Sequence, residues 1–506
     1  MLYGQLLKKM FVSHAGARCY PMSAELELYT SVVTASMSDL FYETSVERVE
    51  RIARLVGQVS PEFVARLAIY TRTVMHLRSV PLLLVVELAR VHSGDDLVAR
   101  TVEKTVLRAD EIMELLMCYQ WRSGAKGSRK KLGRLSHQLQ KGLQRSFHRF
   151  DEYQFAKYDR QDSEVRLRDA LFLVHPKAKD EQQQALFDRI ASKQLATPYT
   201  WETELSALGQ QQFFSEEEKL KARRSKWEEL IGSGRLGYMA MLRSLRSICC
   251  AGTSVESVAH LEAQLSDPQR VAASKQLPFR FLAAYKELIG WDDCRHQMVM
   301  EALETAASLS AGRIEGFDEH TRVLLACDMS GSMDCPLGRH SSIKYYEIGL
   351  LLAMMMKSRC KQVVTGIFAC DWETVDVPST GILDATLKLH SLLGSVGWST
   401  NSYKVIEWLI DHRLVMDKVM MFTDMQMWDS TGGGRSLETQ WRAYKRIAPQ
   451  ARLYLFDLSG YGQSPISFIG HDVCLIAGWS DRIFDVLSSL EKGEDVLHVI
   501  HQVSIE

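Results

Sequence analysis

Between residues 24 and 309 apolar side chains recur every three or four positions, as in Val46-Val49-Ile52-Ala53-Val56 and Phe63-Leu67-Tyr70-Val74. That spacing lines one face of a helix, so this stretch is predicted to be a succession of amphipathic helices. The prolines of Ser60-Pro61-Glu62 and Ser79-Val80-Pro81 suit first turns, where the missing amide would lack a partner anyway. No strict period links the helices. Many short helices in series is nevertheless the pattern of an α-solenoid of degenerate repeats, whose extended surfaces favour binding over small-molecule catalysis; an irregular bundle is the alternative.

After Gly312 the pattern changes. Short apolar or β-branched runs at 323–327, 362–368, 419–422, 453–456 and 473–476 alternate with helical stretches near 345–357, 384–393, 403–412, 437–447 and 481–490. Such alternation predicts a parallel sheet flanked by helices. The expected organisation is therefore multi-domain: an all-α part over residues 1–318 and an α/β doubly wound parallel-sheet part over 319–506.

Composition narrows the function. The chain of 506 residues is 46% hydrophobic and 24% charged, enough to bury substantial cores, and its net charge is -1. Attraction to nucleic acid must then come from local clustering of charge. Ten cysteines without a C-x-x-C pair suit neither a zinc site nor a disulfide framework, which fits a cytoplasmic setting. The most apolar run, 80–86, stops at Glu87, well short of the ~20 residues of a membrane span, and the N-terminus carries no apolar stretch of the export type.

Two constellations carry chemistry. Where the first predicted strand ends stands Asp328-Met329-Ser330-Gly331-Ser332, a D-x-S-x-S string. Thr400, in a loop before a helix, and Asp424, just after the 419–422 strand, fall at the same crevice beyond the strand ends. Hydroxyls of Ser330, Ser332 and Thr400 with the carboxylates of Asp328 and Asp424 form an oxygen set for Mg²⁺ or another divalent cation. The ion keeps residual charge and an open position for a partner's carboxylate or a phosphate oxygen. The second constellation is a basic run containing Arg122, Lys126, Arg129, Lys130, Lys131, Arg134, Lys141, Arg145 and Arg149, with Trp121, Phe147, Tyr153, Phe155 and Tyr158 interleaved. Phosphates would meet the charges and unpaired bases would stack on the rings; a solvated helix face is the competing reading.

Residues 320–506 resemble the von Willebrand factor A domain with its metal-ion-dependent adhesion site, which implies the ligands Asp328, Ser330, Ser332, Thr400 and Asp424. The family often has Asp after the threonine, where this chain has Asn401, so Thr400 depends on the register of its loop. The strings R-T-V-M-H-L-R-S-V-P-L-L-L-V-V-E-L-A-R from Arg72, R-L-R-D-A-L-F-L-V-H-P-K from Arg166 and Y-M-A-M-L-R-S-L-R-S from Tyr238 resemble the TROVE module of the Ro autoantigen family, of the bacterial type. Its members append a von Willebrand A domain in this same order. The resemblance implies a HEAT-like helical-repeat ring that binds small noncoding Y RNA on its outer surface and takes the single-stranded 3′ ends of misfolded RNA into its hole. It also implies a scaffold that works beside an exoribonuclease such as polynucleotide phosphorylase. By motif match it assigns Lys157, Arg160 and His175 to RNA; the acidic 161–164 segment departs from the family's basic character, and the 126–131 cluster is correspondingly rich.

No enzyme signature competes strongly. Gly232-Ser233-Gly234-Arg235-Leu236-Gly237 matches G-x-G-x-x-G but follows a helical stretch instead of a strand, and Gly432-Gly433-Gly434-Arg435-Ser436 lacks G-K-[ST]. The expectation is a non-enzyme. Its alternatives are a metal-dependent protein-interaction module without RNA, and a Mg²⁺-dependent nuclease using Asp328, Asp424 and nearby Asp334.

Overall fold

The computed structural model describes the chain apart from residues 1–10, 36–38, 125–134, 160–162, 291–292, 312–316, 319, 339–340, 379–380, 469–471 and 481. Two compact units form: residues 50–236 with 497–506, and residues 237–496 with the N-terminal residues up to 49. No helix among the described residues is long and apolar enough to cross a membrane.

The first unit is built of short helices that pack on their neighbours in series. Ser60 caps Pro61–Thr73 by accepting a hydrogen bond from the Phe63 amide, with Pro61 in the first turn; Ser79–Val91 carries Pro81 in the same place. These two helices pack together. Pro61–Thr73 also meets Leu97–Thr105, Ser79–Val91 meets Ala109–Arg122, and Leu97–Thr105 meets His137–Phe147. The last contact is close enough to need glycine: a Cβ at Gly142 would lie 2.6 Å from Val102 Cβ and 2.7 Å from the Ala99 carbonyl oxygen. Gly142→Ala therefore overpacks the crossing, and we expect it to lower stability by about 1–3 kcal/mol. Urea unfolding of the full chain measures this; an unmoved midpoint would refute the close approach.

The second unit holds the sheet. Strands are β1 (Phe11–Val12), β2 (Arg18–Pro21), β3 (Arg322–Asp328), β4 (Gln362–Phe368), β5 (Trp372–Thr374), β6 (Lys418–Thr423), β7 (Arg452–Asp457), β8 (Gln463–Ser464) and β9 (Val473–Ala477). The main sheet runs β5-β4-β3-β6-β7-β9. It is parallel throughout except for the edge strand β5, which returns antiparallel along β4. Leu324, Ala326, Val419, Met421, Leu453 and Leu455 face one way into a core shared with Val405, Ile406 and Leu409 of Tyr403–Asp411 and Trp441 and Tyr444 of Leu437–Tyr444. On the other face Gly349 of Tyr345–Lys357 lies against Phe422. Helices on both faces explain why the strands read as continuous apolar runs. With parallel strands, the C-terminal ends of β3 and β6 open side by side at one edge, which is where a crevice forms.

The N-terminal residues join this unit. β2 pairs antiparallel with β1 and with β8, in the loop after β7. Ala24–Val33 starts at the Ser23 cap and runs to Thr34. Gly460, at φ +63°, lets the post-β7 loop approach that helix; a Cβ there would stand 2.6 Å from the Thr30 carbonyl oxygen. On the opposite side of the sequence gap, Glu304 of Cys294–Ser310 accepts the Leu383 and Asp384 amides at 3.1 and 2.8 Å, so its carboxylate caps the start of Ile382–His390.

Candidate functional site

Beyond β3 the chain turns at once. The Ser330 amide donates to Asp328 Oδ1 at 2.9 Å, and Ser330 and Ser332 hydroxyl oxygens lie 3.4 Å apart. Thr423, the last residue of β6, donates its hydroxyl to Asp328 Oδ2 at 2.6 Å. Asp424 follows it, with Oδ1 accepting the Gln426 amide at 3.0 Å. The threonine loop is tied in by the Gly331 amide on the Trp398 carbonyl at 2.9 Å and by the Trp428 amide on the Thr400 carbonyl at 3.1 Å. All five sequence-predicted oxygen residues are thus on connected loops of one unit, and all five are buried. Asn401, standing where the resembling domain often has Asp, is fully engaged elsewhere. Its Nδ2 donates to the Cys370 carbonyl and Ser430 Oγ, and its Oδ1 accepts the Ser430 amide. It braces the loop that carries Thr400.

The electrostatics are compatible with a cation. Burial, reinforced by Asp424, pushes the Asp328 carboxyl up to about 7. Burial likewise raises Asp424, against the pull of the neighbouring Ser332 hydroxyl. Asp424 Oδ2 is buried with no hydrogen-bond partner among the described residues. Two carboxyl groups that repel in a dry place, one with an unused oxygen, beside a pair of hydroxyls, fit a hard divalent ion. Asp334 does not add to the set, because Lys344 Nζ holds it at 2.5 Å. A third buried carboxyl that sequence reading missed, Asp457 at the end of β7, spends Oδ1 on the Ser459 and Gly460 amides at 3.0 and 2.7 Å. It is pushed up to about 6 by burial. Neighbouring parallel strands ending in Asp457 and Thr423-Asp424 were the available signal.

The basic residues fare unevenly. Lys126, Arg129, Lys130, Lys131, Arg134 and Arg160 lie outside the described residues. Arg122 is not a surface cation: its side chain is 9% exposed and its guanidinium binds Glu87 and Glu50, each at 2.5 Å. Those carboxylates raise its pKa although burial opposes them. Lys141 and Arg145 pair with Asp96, and Arg149 donates to the Glu103 and Val106 carbonyls. Phe147 and Phe155 are stacked in the core, centroids 5.6 Å apart, so they cannot stack on bases. Trp121 and Tyr153 are exposed. Lys157 is exposed too, with its ammonium over the Tyr153 and Tyr158 rings at 5.9 and 5.6 Å. His175 closes Leu167–Val174 in the left-handed region, φ 49°, and is exposed.

What sequence reading missed is a cleft of about 320 Å³ beside Lys157, lined by Ala156, Asp159, Arg166, Arg168, Lys193 and Thr197 among others. All three cations are exposed. Arg166 and Arg168 lie two residues apart at a helix start, and Lys193 ends Glu181–Ser192 in the left-handed region, so three separate backbone positions converge. The pair was visible in the string R-L-R-D; its partner Lys193, far along the chain, was not.

The TROVE domain model matches residues 22–212 and 191–307. Telomerase protein component 1 of Rattus norvegicus is 39% identical over 94 residues, 19% of this chain, and that of Mus musculus 37% over the same length. The chain spans 3% of the length of either relative. Among solved structures, the RO (RSR) protein of Deinococcus radiodurans matches over 93% of this chain and 100% of its own, with a TM-score of 0.57 at 19% identity. That likeness establishes the fold.

Proposed function

Since this chain belongs to the TROVE domain family, in the Ro-type order of a helical part followed by a parallel α/β sheet, we propose that it is a cytoplasmic, non-enzymatic RNA-binding scaffold. It takes up small noncoding Y RNA and the single-stranded 3′ ends of misfolded RNA, and presents defective RNA to an exoribonuclease such as polynucleotide phosphorylase. The observation that carries the reading is the exposed Arg166, Arg168 and Lys193 cleft, in the same helical unit as exposed Lys157, Tyr153 and His175. Cations converging from separate helix ends suit a bent phosphate backbone. The exposed ring of Tyr153 suits an unpaired base. The charge run 126–134 and Arg160 extend this basic character in sequence.

The test is salt-dependent binding of copurified RNA to the full chain. Each lost phosphate contact flattens the plot of log affinity against log salt by about 0.7–0.9. The triple exchange Arg166→Glu, Arg168→Glu, Lys193→Glu is therefore expected to reduce the slope by about 2–3. An unchanged slope in a folded variant would move RNA to another surface. Chains purified without RNA, with no affinity for structured small RNA, would sink the proposal.

Mg²⁺ at Asp328, Ser330, Ser332, Thr400 and Asp424 makes the α/β unit a docking accessory in this reading. A nuclease reading finds less support, since Asp334 is paired with Lys344 and does not converge with Asp328 and Asp424.

A further inference from the structure

The helical unit carries a finger. Directly after the cleft of Arg166, Arg168 and Lys193, whose wall runs to Pro198, the chain forms two helices, Trp201–Gly209 and Glu216–Gly232, that pack on each other. Their base is clamped. The Trp201 and Trp227 rings stack with centroids 6.2 Å apart, Lys226 Nζ donates to Glu204 at 3.0 Å and to Glu229 at 2.7 Å, and the Tyr199 hydroxyl donates to Glu229 Oε1 at 2.9 Å. Beyond the base little is covered. Trp201–Gly209 buries no side chain, and Glu216–Gly232 buries Trp227, Leu230 and Ile231, all towards its end.

At the tip stands Phe214, 99% exposed. Its backbone is held, because the Phe214 amide donates to Glu218 Oε2 at 2.9 Å and the Ser215 hydroxyl accepts the Glu218 amide at 3.1 Å. Glu216, Glu217 and Glu218 follow, with Lys219 on Glu216 at 3.2 Å. A ring fixed in water beside a cluster of acids suits an anchor for a pocket of the opposite charge.

The cleft is such a pocket. Three cations, against the one acid Asp159, surround an apolar wall of Leu195, Ala196 and Pro198, and about 320 Å³ is room enough for a phenyl ring. The finger does not reach its own cleft. At about 1.5 Å per residue, Trp201–Gly209 sets the tip about 13 Å from the wall that ends at Pro198, and the clamped base keeps it there.

We propose that the Phe214 finger of one chain docks in the Arg166, Arg168 and Lys193 cleft of a second copy, with the ring on the apolar wall and the glutamates against the cations. The two surfaces differ, so the contact is head-to-tail and propagates from copy to copy. One ring buries about 150–250 Å², far below a standard interface, so the association is weak and depends on concentration and salt. Under the reading that this cleft takes RNA, RNA and finger exclude each other, and assembly belongs to the RNA-free chain.

The test is sedimentation velocity of the full chain, freed of RNA at high salt and returned to low salt, at rising concentration. The wild type is expected to give species larger than one copy, which revert to single copies when the copurified RNA is added back. Phe214→Ser and the triple exchange Arg166→Glu, Arg168→Glu, Lys193→Glu should each stay single at every concentration. Mixed together they should form a dimer and nothing longer, since one supplies the cleft and the other the finger. A wild type that is single throughout, a Phe214→Ser chain that assembles as before, or a mixture that stays single overturns the contact. Assembly that RNA leaves intact overturns the exclusion and moves RNA off the cleft, with the contact between copies standing.

Discussion

Arg122→Ala is expected to destabilise the helical unit by about 3 kcal/mol, while the folded fraction keeps its RNA affinity. The guanidinium bridges Glu50 and Glu87, and the Glu87 side chain is only 4% exposed. Removing it leaves a buried carboxylate short of a partner, and such half-broken pairs lose about 3–5 kcal/mol. The lower end applies because Arg90 still donates to both Glu87 oxygens at 3.2 and 3.1 Å. The full chain in urea, with RNA binding measured below the transition, separates the two roles. A variant as stable as wild type but deficient in RNA would return Arg122 to the interface that its place in the basic run suggests.

The second large effect concerns the ion. Mg²⁺ at about a hundredfold over its dissociation constant should add about 2.7 kcal/mol to the α/β unit. Thermal unfolding should then rise by several degrees. Asp328→Asn keeps an oxygen for the Ser330 amide and removes one of two repelling charges; its metal-free form should be at least as stable as wild type and should not respond to Mg²⁺. The sign with pH follows from the carboxyl pushed from 3.8 up to about 7. A group whose folded pKa is raised contributes stability below its unfolded value and loses it as pH rises through the folded one. Metal-free protein should therefore weaken between about pH 4 and 7, with Mg²⁺ restoring stability at the neutral end. A flat pH response together with no Mg²⁺ shift in the wild type would remove the site.

Much of the α/β unit was legible because a buried parallel strand has one appearance, a short apolar run, and its C-terminal end is a fixed address. The run at 362–368 and the helix at 345–357 fall where the structure has them, and so Asp328 and Asp424 could be placed on one crevice before any coordinates. The edge strand β5 was not anticipated; three residues, two of them exposed, carry no alternation to read. In the helical unit the amphipathic period was sound, but period does not say which cation has an acid facing it. Arg122 looked like its neighbours, and its partners Glu50 and Glu87 stand 72 and 35 residues away. Phe147 and Phe155 were misread as stacking candidates for the same reason, since core and surface aromatics are alike in a basic stretch. The pairing of β2 with β8 was not legible either, because Tyr20 and Ser464 stand far apart in the sequence.

That pairing bears on how the molecule is made. His14 waits for Gln426, 412 residues later. At synthesis rates of about 5–20 residues per second, roughly 20–80 s pass before its partner exists. Residues 50–236 can meanwhile assemble from contacts of short sequence separation, whereas β2 stays without its partner until β8 emerges. Slow release of the nascent N-terminus, read as late protection from protease in timed translation, is the signature that this topology would leave.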